Sequence, residues 1–171
     1  MPDNETPEEY WQKLDARVKT AKLAVSAQNT FGMHLLRELV AAKPRENTFI
    51  SPISVFLALS MTEAGSAGST RTAMRKVLGL PDKDPALLHE SMAALQRALK
   101  PPSGAHLRIA NALWTSEHVP LAPAFVRQCE AVFDAHAGSL SFDKPAAAQI
   151  INDWVKANTD GKIPQIVTPD V

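Results

Sequence analysis

The side chains that could do chemistry are few and scattered. Cys129 is the one thiol. It sits between Gln128 and Glu130 in a helical pattern with no histidine close in sequence, so nothing there favours the thiolate that a nucleophile needs. A single cysteine also rules out a disulfide within the chain. The histidines at 34, 89, 106, 118 and 136 lack metal-ligand spacing, and a structural zinc site would want several sulfurs beside them. The run Gly65 to Thr70 has the glycines and hydroxyls of a phosphate cradle. It lacks the Gly-Lys-Ser/Thr ending and follows a helical pattern rather than a strand. No catalytic constellation, cofactor or metal is expected, and the chain does not read as an enzyme.

Charge adds little. Eighteen basic residues balance eighteen acidic ones among 171, so no global field favours nucleic acid or an anionic membrane. The acidic start (Asp3, Glu5, Glu8, Glu9) reads as a solvated tail. The N-terminus has no basic residues followed by an apolar run and is not a secretory signal. The most apolar stretch, Ile53 to Met61, is about half as long as a membrane span requires.

The elements that must position any site are mixed. Residues 1–28 read as a polar lead-in, with some helix around Trp11 to Val25. From Asn29, Phe31, Leu35, Leu36, Leu39 and Val40 recur at helical spacing, and Lys43-Pro44 should end that helix. Asn47 to Ile50 is a short β-prone piece. Ser51-Pro52 then opens a helix, serine as N-cap and proline at its first position. That helix, Ile53 to Ala64, is apolar on nearly its whole circumference and should be surrounded, which asks for a larger core than these residues alone can wrap. Ser69 or Thr70 is expected to cap a third helix, ended by Gly79. Residues 86–99 form an amphipathic helix with Leu87, Leu88, Met92, Leu95 and Leu99 as its stripe. Pro101 to Gly104 is a loop. Strands are expected at 107–115 and 138–142, with a helix at about 122–134 between them. A last helix opened by Asp143 and Pro145 turns Ile150, Ile151, Trp154 and Val155 inward and stops at Asp160-Gly161. Neither strand has an obvious hairpin partner, so partners are expected beyond residue 171. The fold class is α+β, multi-helix plus a sheet.

Four segments resemble one family in its own order. N-T-F-I-S-P-I-S-V-F-L-A-L-S-M (47–61) is similar to the serpin stretch in which a short strand enters a buried helix. A-G-S-A-G-S-T-R-T-A-M (64–74) resembles the glycine loop and helix that follow. L-R-I-A-N-A-L-W (107–114) looks like a central strand of the large serpin sheet. I-N-D-W-V-K-A-N-T-D-G-K-I (151–163) is similar to the signature I-N-x-W-V-x-x-x-T-x-G-K-I. Thr62 and Glu63 are more polar than the pattern, and Ser69 stands where many members have asparagine.

The resemblance implies that residues 29–171 are the N-terminal part of a serpin domain, cut before the reactive loop. Serpins inhibit serine or cysteine proteases by a suicide route. A bait bond is cleaved, and the cut loop inserts as a strand into the large sheet. By resemblance, Ser51, Pro52, Ser54 and Asn111 take the shutter positions under that sheet; for Ser51 a plain N-cap remains an equal alternative. Asn152, Trp154, Thr159, Gly161 and Lys162 match the helix that moves aside, with capping and a turn as their plainer reading. The reactive bond is absent from these residues, so the chain alone is expected to be inactive. A target protease is the implied partner. A glycosaminoglycan is not expected, since the 86–100 helix offers only Arg97 and Lys100 beside Glu90. The family is commonly extracellular, although no signal is visible. A non-inhibitory relative (carrier or chaperone) and a non-functional truncated gene product stay open.

Overall fold

The structure is a computed structural model describing residues 6–82, 84–99, 107 and 109–168. The expected loop at Pro101 to Gly104, Lys100, His106, Arg108 and the acidic residues before Thr6 lie outside them. The chain divides into two compact units, Met1–Leu107 and Arg108–Val171.

Unit 1 is helical. Its first helix, α1, runs unbroken over Pro7–Ala42, where the sequence suggested a lead-in followed by a new helix at 29. A capping box starts it: Glu9 N–H donates to Thr6 Oγ1 (3.2 Å), and Thr6 N–H donates back to Glu9 Oε2 (3.0 Å). It persists because Ala21, Ala24 and Ala27 are buried in one line with Phe31. That line packs on α4 (Pro85–Leu99), whose Leu88, Ser91, Met92 and Leu95 are buried. The small side chains let the backbones close in, so that Ala24 N–H reaches Ser91 Oγ at 3.0 Å in the interior. Leu87, expected in the buried stripe of α4, is 45% exposed.

Helix α2 (Pro52–Gly65) begins where expected and lies against α1. The Phe31 and Phe56 rings meet at 6.0 Å. Gly32 is required at this crossing, because a Cβ there would stand 2.8 Å from Pro52 Cβ. These residues alone do not wrap α2, as its all-round apolar surface led us to expect. Phe56, Leu57, Ser60, Met61 and Glu63 are buried, but Val55 and Ala58 face outward, since unit 1 supplies neighbours on one side only. Residues 47–50 form no strand; there is no ladder partner for them among the described residues. Helix α3 (Gly68–Leu78) has Ala67 at its N-cap, with no capping bond from Ser69 or Thr70. It ends as expected at Gly79 (φ 65°), with Leu80 N–H on Arg75 O and Gly79 N–H on Lys76 O.

Unit 2 is a small α/β layer. Strand β1 (Asn111–Ser116), helix α5 (Pro123–Phe133) and strand β2 (Ala135–Leu140) form one parallel crossover. The strands are therefore partners of each other, paired from Asn111↔Ala135 to Ser116↔Leu140. A search for hairpin partners misses this, because a parallel pair needs no local turn. Asp134, in the left-handed region (φ 49°), ends α5 and starts β2 earlier than the pattern suggested. Helix α6 (Ala146–Asn158) covers the pair. Ala147 and Ile151 join Leu140 in a core that Trp114, Phe142 and Val167 complete.

Candidate functional site

In unit 1 the predicted site residues gather at the mouth of α2. Ser51 occupies the N-cap position, but its side chain makes no capping bond. Its hydroxyl instead pairs with that of Ser54 at 2.8 Å, and both residues are exposed. The helix start is held by backbone, with Ser54 N–H on Ser51 O at 3.1 Å, and by Pro52 against Gly32. Beside them α1 and the 48–52 segment enclose an open groove of about 610 Å3, lined by Gln28, Met33, Leu36, Phe49, Ile50 and Pro52 among others.

In unit 2, Asn111 begins the parallel pair. It is 9% exposed, and its Nδ2 has no hydrogen-bond acceptor among the described residues. An unpaired buried amide costs about 1–3 kcal/mol.

The α6 residues act locally. Thr159 Oγ1 donates to Val155 O (2.8 Å) and accepts from Ile163 N–H (3.1 Å). Asp160 and Gly161 both have positive φ, and Gly161 N–H returns to Lys156 O at 2.8 Å. Lys162 is exposed, its N–H on Thr159 O. Capping and a turn describe these three. They do not describe Asn152, whose Nδ2 donates to Val167 O (2.9 Å) while its Oδ1 accepts from Ile166 N–H (2.9 Å) and Val167 N–H (3.2 Å). One side chain thus binds the segment after α6 back along the helix. Asn152→Ala should raise hydrogen exchange at the 166 and 167 amides and cost about 1–3 kcal/mol. Asn152→Asp, which keeps the acceptor oxygens, should protect those amides better than alanine does.

Trp154 meets Trp114 edge-on at 6.3 Å, and both rings reach His136 (4.5 Å from Trp114, 6.1 Å from Trp154). Gly138 makes room for this cluster: a Cβ there would lie 2.8 Å from His136 Nε2 and 3.1 Å from the Trp114 ring. His136 and Gly138 were missed in the sequence. The available signal was their two-residue spacing, which puts them on one strand face.

Cys129 is fully buried, and burial, then the Glu130 carboxylate, pushes its thiol pKa up, away from a reactive thiolate. Among the described residues no three His, Cys, Asp or Glu side chains converge as a metal site would. No helix among them is long and apolar enough to cross a membrane.

Comparison with known proteins matches this arrangement to one family. Residues 26–171 fit the family described as Serpin (serine protease inhibitor). Serpin A3-6 of Bos taurus is 31% identical over 170 residues, covering 97% of this chain and 40% of its own. Corticosteroid-binding globulin of Saimiri sciureus is 32% identical over 147 residues, covering 83% of this chain and 36% of its own. A cleaved Serpin 42Da structure superposes with a TM-score of 0.74 at 28% identity, covering 88% of this chain and 40% of that one. The chain thus spans about two fifths of the length of these relatives. With helices and paired strands in the family's order and most of its length matched, this chain belongs to the serpin family.

Proposed function

We propose that the chain is the N-terminal part of a serine-type or cysteine-type endopeptidase inhibitor that works by suicide loop insertion once its other segments are present. Asn111 carries the reading. A buried amide without an acceptor among the described residues, on a strand of the sheet that would open, is suited to a polar contact made and broken as strands part. In this reading Ser51, Pro52 and Ser54 of unit 1, and separately Asn111 of unit 2, stand at residues that resemble the family's shutter positions, and α6, with Asn152, Trp154, Thr159, Gly161 and Lys162, is the element that yields. In this reading residues 1–171 alone would not inhibit: the two strands among the described residues pair with each other, and the family's bait loop is expected in other segments.

The test uses a product extended to the full length of the relatives. Cleavage in its loop should raise its melting temperature, as an added strand would, and a target protease should remain covalently attached. Cleavage without stabilisation would reject inhibition.

The groove beside α1 favours a second reading, a carrier. Its volume falls in the range of small-molecule sites, and one relative is named for binding corticosteroid. Saturable corticosteroid binding in equilibrium dialysis, abolished by Met33→Glu in the groove, would support it. Absence of binding by a product that also traps protease would remove it.

A further inference from the structure

Helix α1 outruns its cover. Its 36 residues make it more than twice as long as α4, the 15-residue helix packed along it. Ser91 of α4 meets α1 at Ala24, and Ala21 is the first buried residue of α1 among those described. Counted back from Ala21 in steps of three or four, the apolar stripe in the sequence runs through Val18 and Leu14 to Trp11. Trp11 is 62% exposed, with the half-buried Tyr10 ring edge-on to it at 5.3 Å. An indole standing in water offers a large apolar face, and Trp and Tyr are the side chains that most often anchor interfaces. The fit to the family begins at residue 26, after this overhang.

Charge decides what can cover it. The overhang is acidic where it starts and basic where it meets α4. Glu8 and Glu9 lie in the first turn, Lys19 and Lys22 near Ala21, and all four are exposed. Glu9 is engaged in the capping box, and Asp15 and Lys19 hold each other at 2.7 Å. Glu8 and Lys22 are two heptads apart, so they flank the Trp11 stripe on the same side. A parallel neighbour would bring acid beside acid and base beside base. A second copy lying antiparallel sets Glu8 of each chain against Lys22 of the other, twice, with both Trp11 rings near the middle.

We propose that the exposed start of α1 is a self-association surface, on which a second copy of this chain packs its own α1 antiparallel. The contact is two-fold symmetric, the same surface on both partners. It is short, below the roughly 800 Å² per partner of a standard interface, so the dimer is weak and forms with rising concentration.

The test is sedimentation equilibrium of the chain at low salt, where monomer should pass to dimer over about 10–200 μM. Trp11→Glu should weaken that association at least about tenfold. Glu8→Lys alone and Lys22→Glu alone should each weaken it, because like charges then face each other across the seam. An equimolar mixture of those two variants should associate as the wild type does, since each supplies the charge that the other has lost. Far-UV circular dichroism separates loss of the contact from loss of the helix. Should Trp11→Glu lose helix, the mixing experiment decides. A chain that stays monomeric at about 200 μM would overturn the proposal, as would a mixture that associates no better than its two components. Association that persists in a helical Trp11→Glu would assign the dimer to another surface and overturn it as well.

Discussion

Phe56→Ala is expected to lower the stability of unit 1 by about 3–5 kcal/mol. Phe56 has no solvent exposure, and it is buried on α2 together with Leu57 and Met61, with its ring 6.0 Å from that of Phe31 on α1. Removing it forfeits the transfer energy of the ring and leaves a cavity at the one place where α1 and α2 cross. That crossing is already fixed by Gly32 against Pro52 and cannot close up freely. The loss is a large part of the roughly 5–15 kcal/mol that stabilises an ordinary domain. Urea unfolding should show a lower midpoint with an unchanged slope. Val55→Ala, one residue earlier on the outward face, should stay within about 0.5 kcal/mol. Equal effects at 55 and 56 would mean that the two faces of α2 are not distinguished as described.

Trp114→Ala should cost unit 2 about 2–3 kcal/mol, less than a fully buried ring because Trp114 is half-exposed. The indole serves two contacts. It packs on the core of Leu140, Ala147 and Ile151, and it presents its ring to Trp154 and His136. Aromatic pairs of this geometry add about 0.5–1.5 kcal/mol beyond area burial. The observable is docking of α6: its amides should exchange faster in Trp114→Ala, and Trp154 emission should shift to the red. Unchanged α6 protection would show that the helix is held by something other than this ring cluster.

Much of this architecture was legible in the sequence, for reasons that differ by element. Pro52, Gly79 and the Thr159–Gly161 turn are punctuation whose meaning is local, and the structure places each where the residues indicated. The continuity of α1 was not legible. Its buried side before residue 29 is Ala21, Ala24 and Ala27, weak as a hydrophobic signal, and the α4 surface that covers it comes from 67 residues away at Ser91. Pairing of β1 with β2 was hidden because α5 separates them. Cap positions were readable at Ser51 while the bond itself was not, since the Ser51 hydroxyl turns to Ser54. Glu63 stood out as a polar departure in an apolar helix. Its partners, Arg71 and Arg75, could have been suspected from their four-residue spacing on the next helix.

The same distinction holds for the candidate site. Asn152 was visible as part of a signature, but its hold on residues 166 and 167 depends on a path that returns beside α6. Ser51, Ser54 and Asn111 were chosen by resemblance. The structure gives them a hydroxyl pair in unit 1 and, in unit 2, an amide with no acceptor among the described residues.

In the function proposed above, these residues carry part of the serpin framework without the trapping reaction. The direct measurement is incubation of the 171-residue chain with trypsin, elastase and subtilisin, followed by denaturing electrophoresis and assay of residual protease activity. Full protease activity with no band heavier than either partner is the expected result. A protease-linked band that survives SDS, with matching loss of activity, would contradict it.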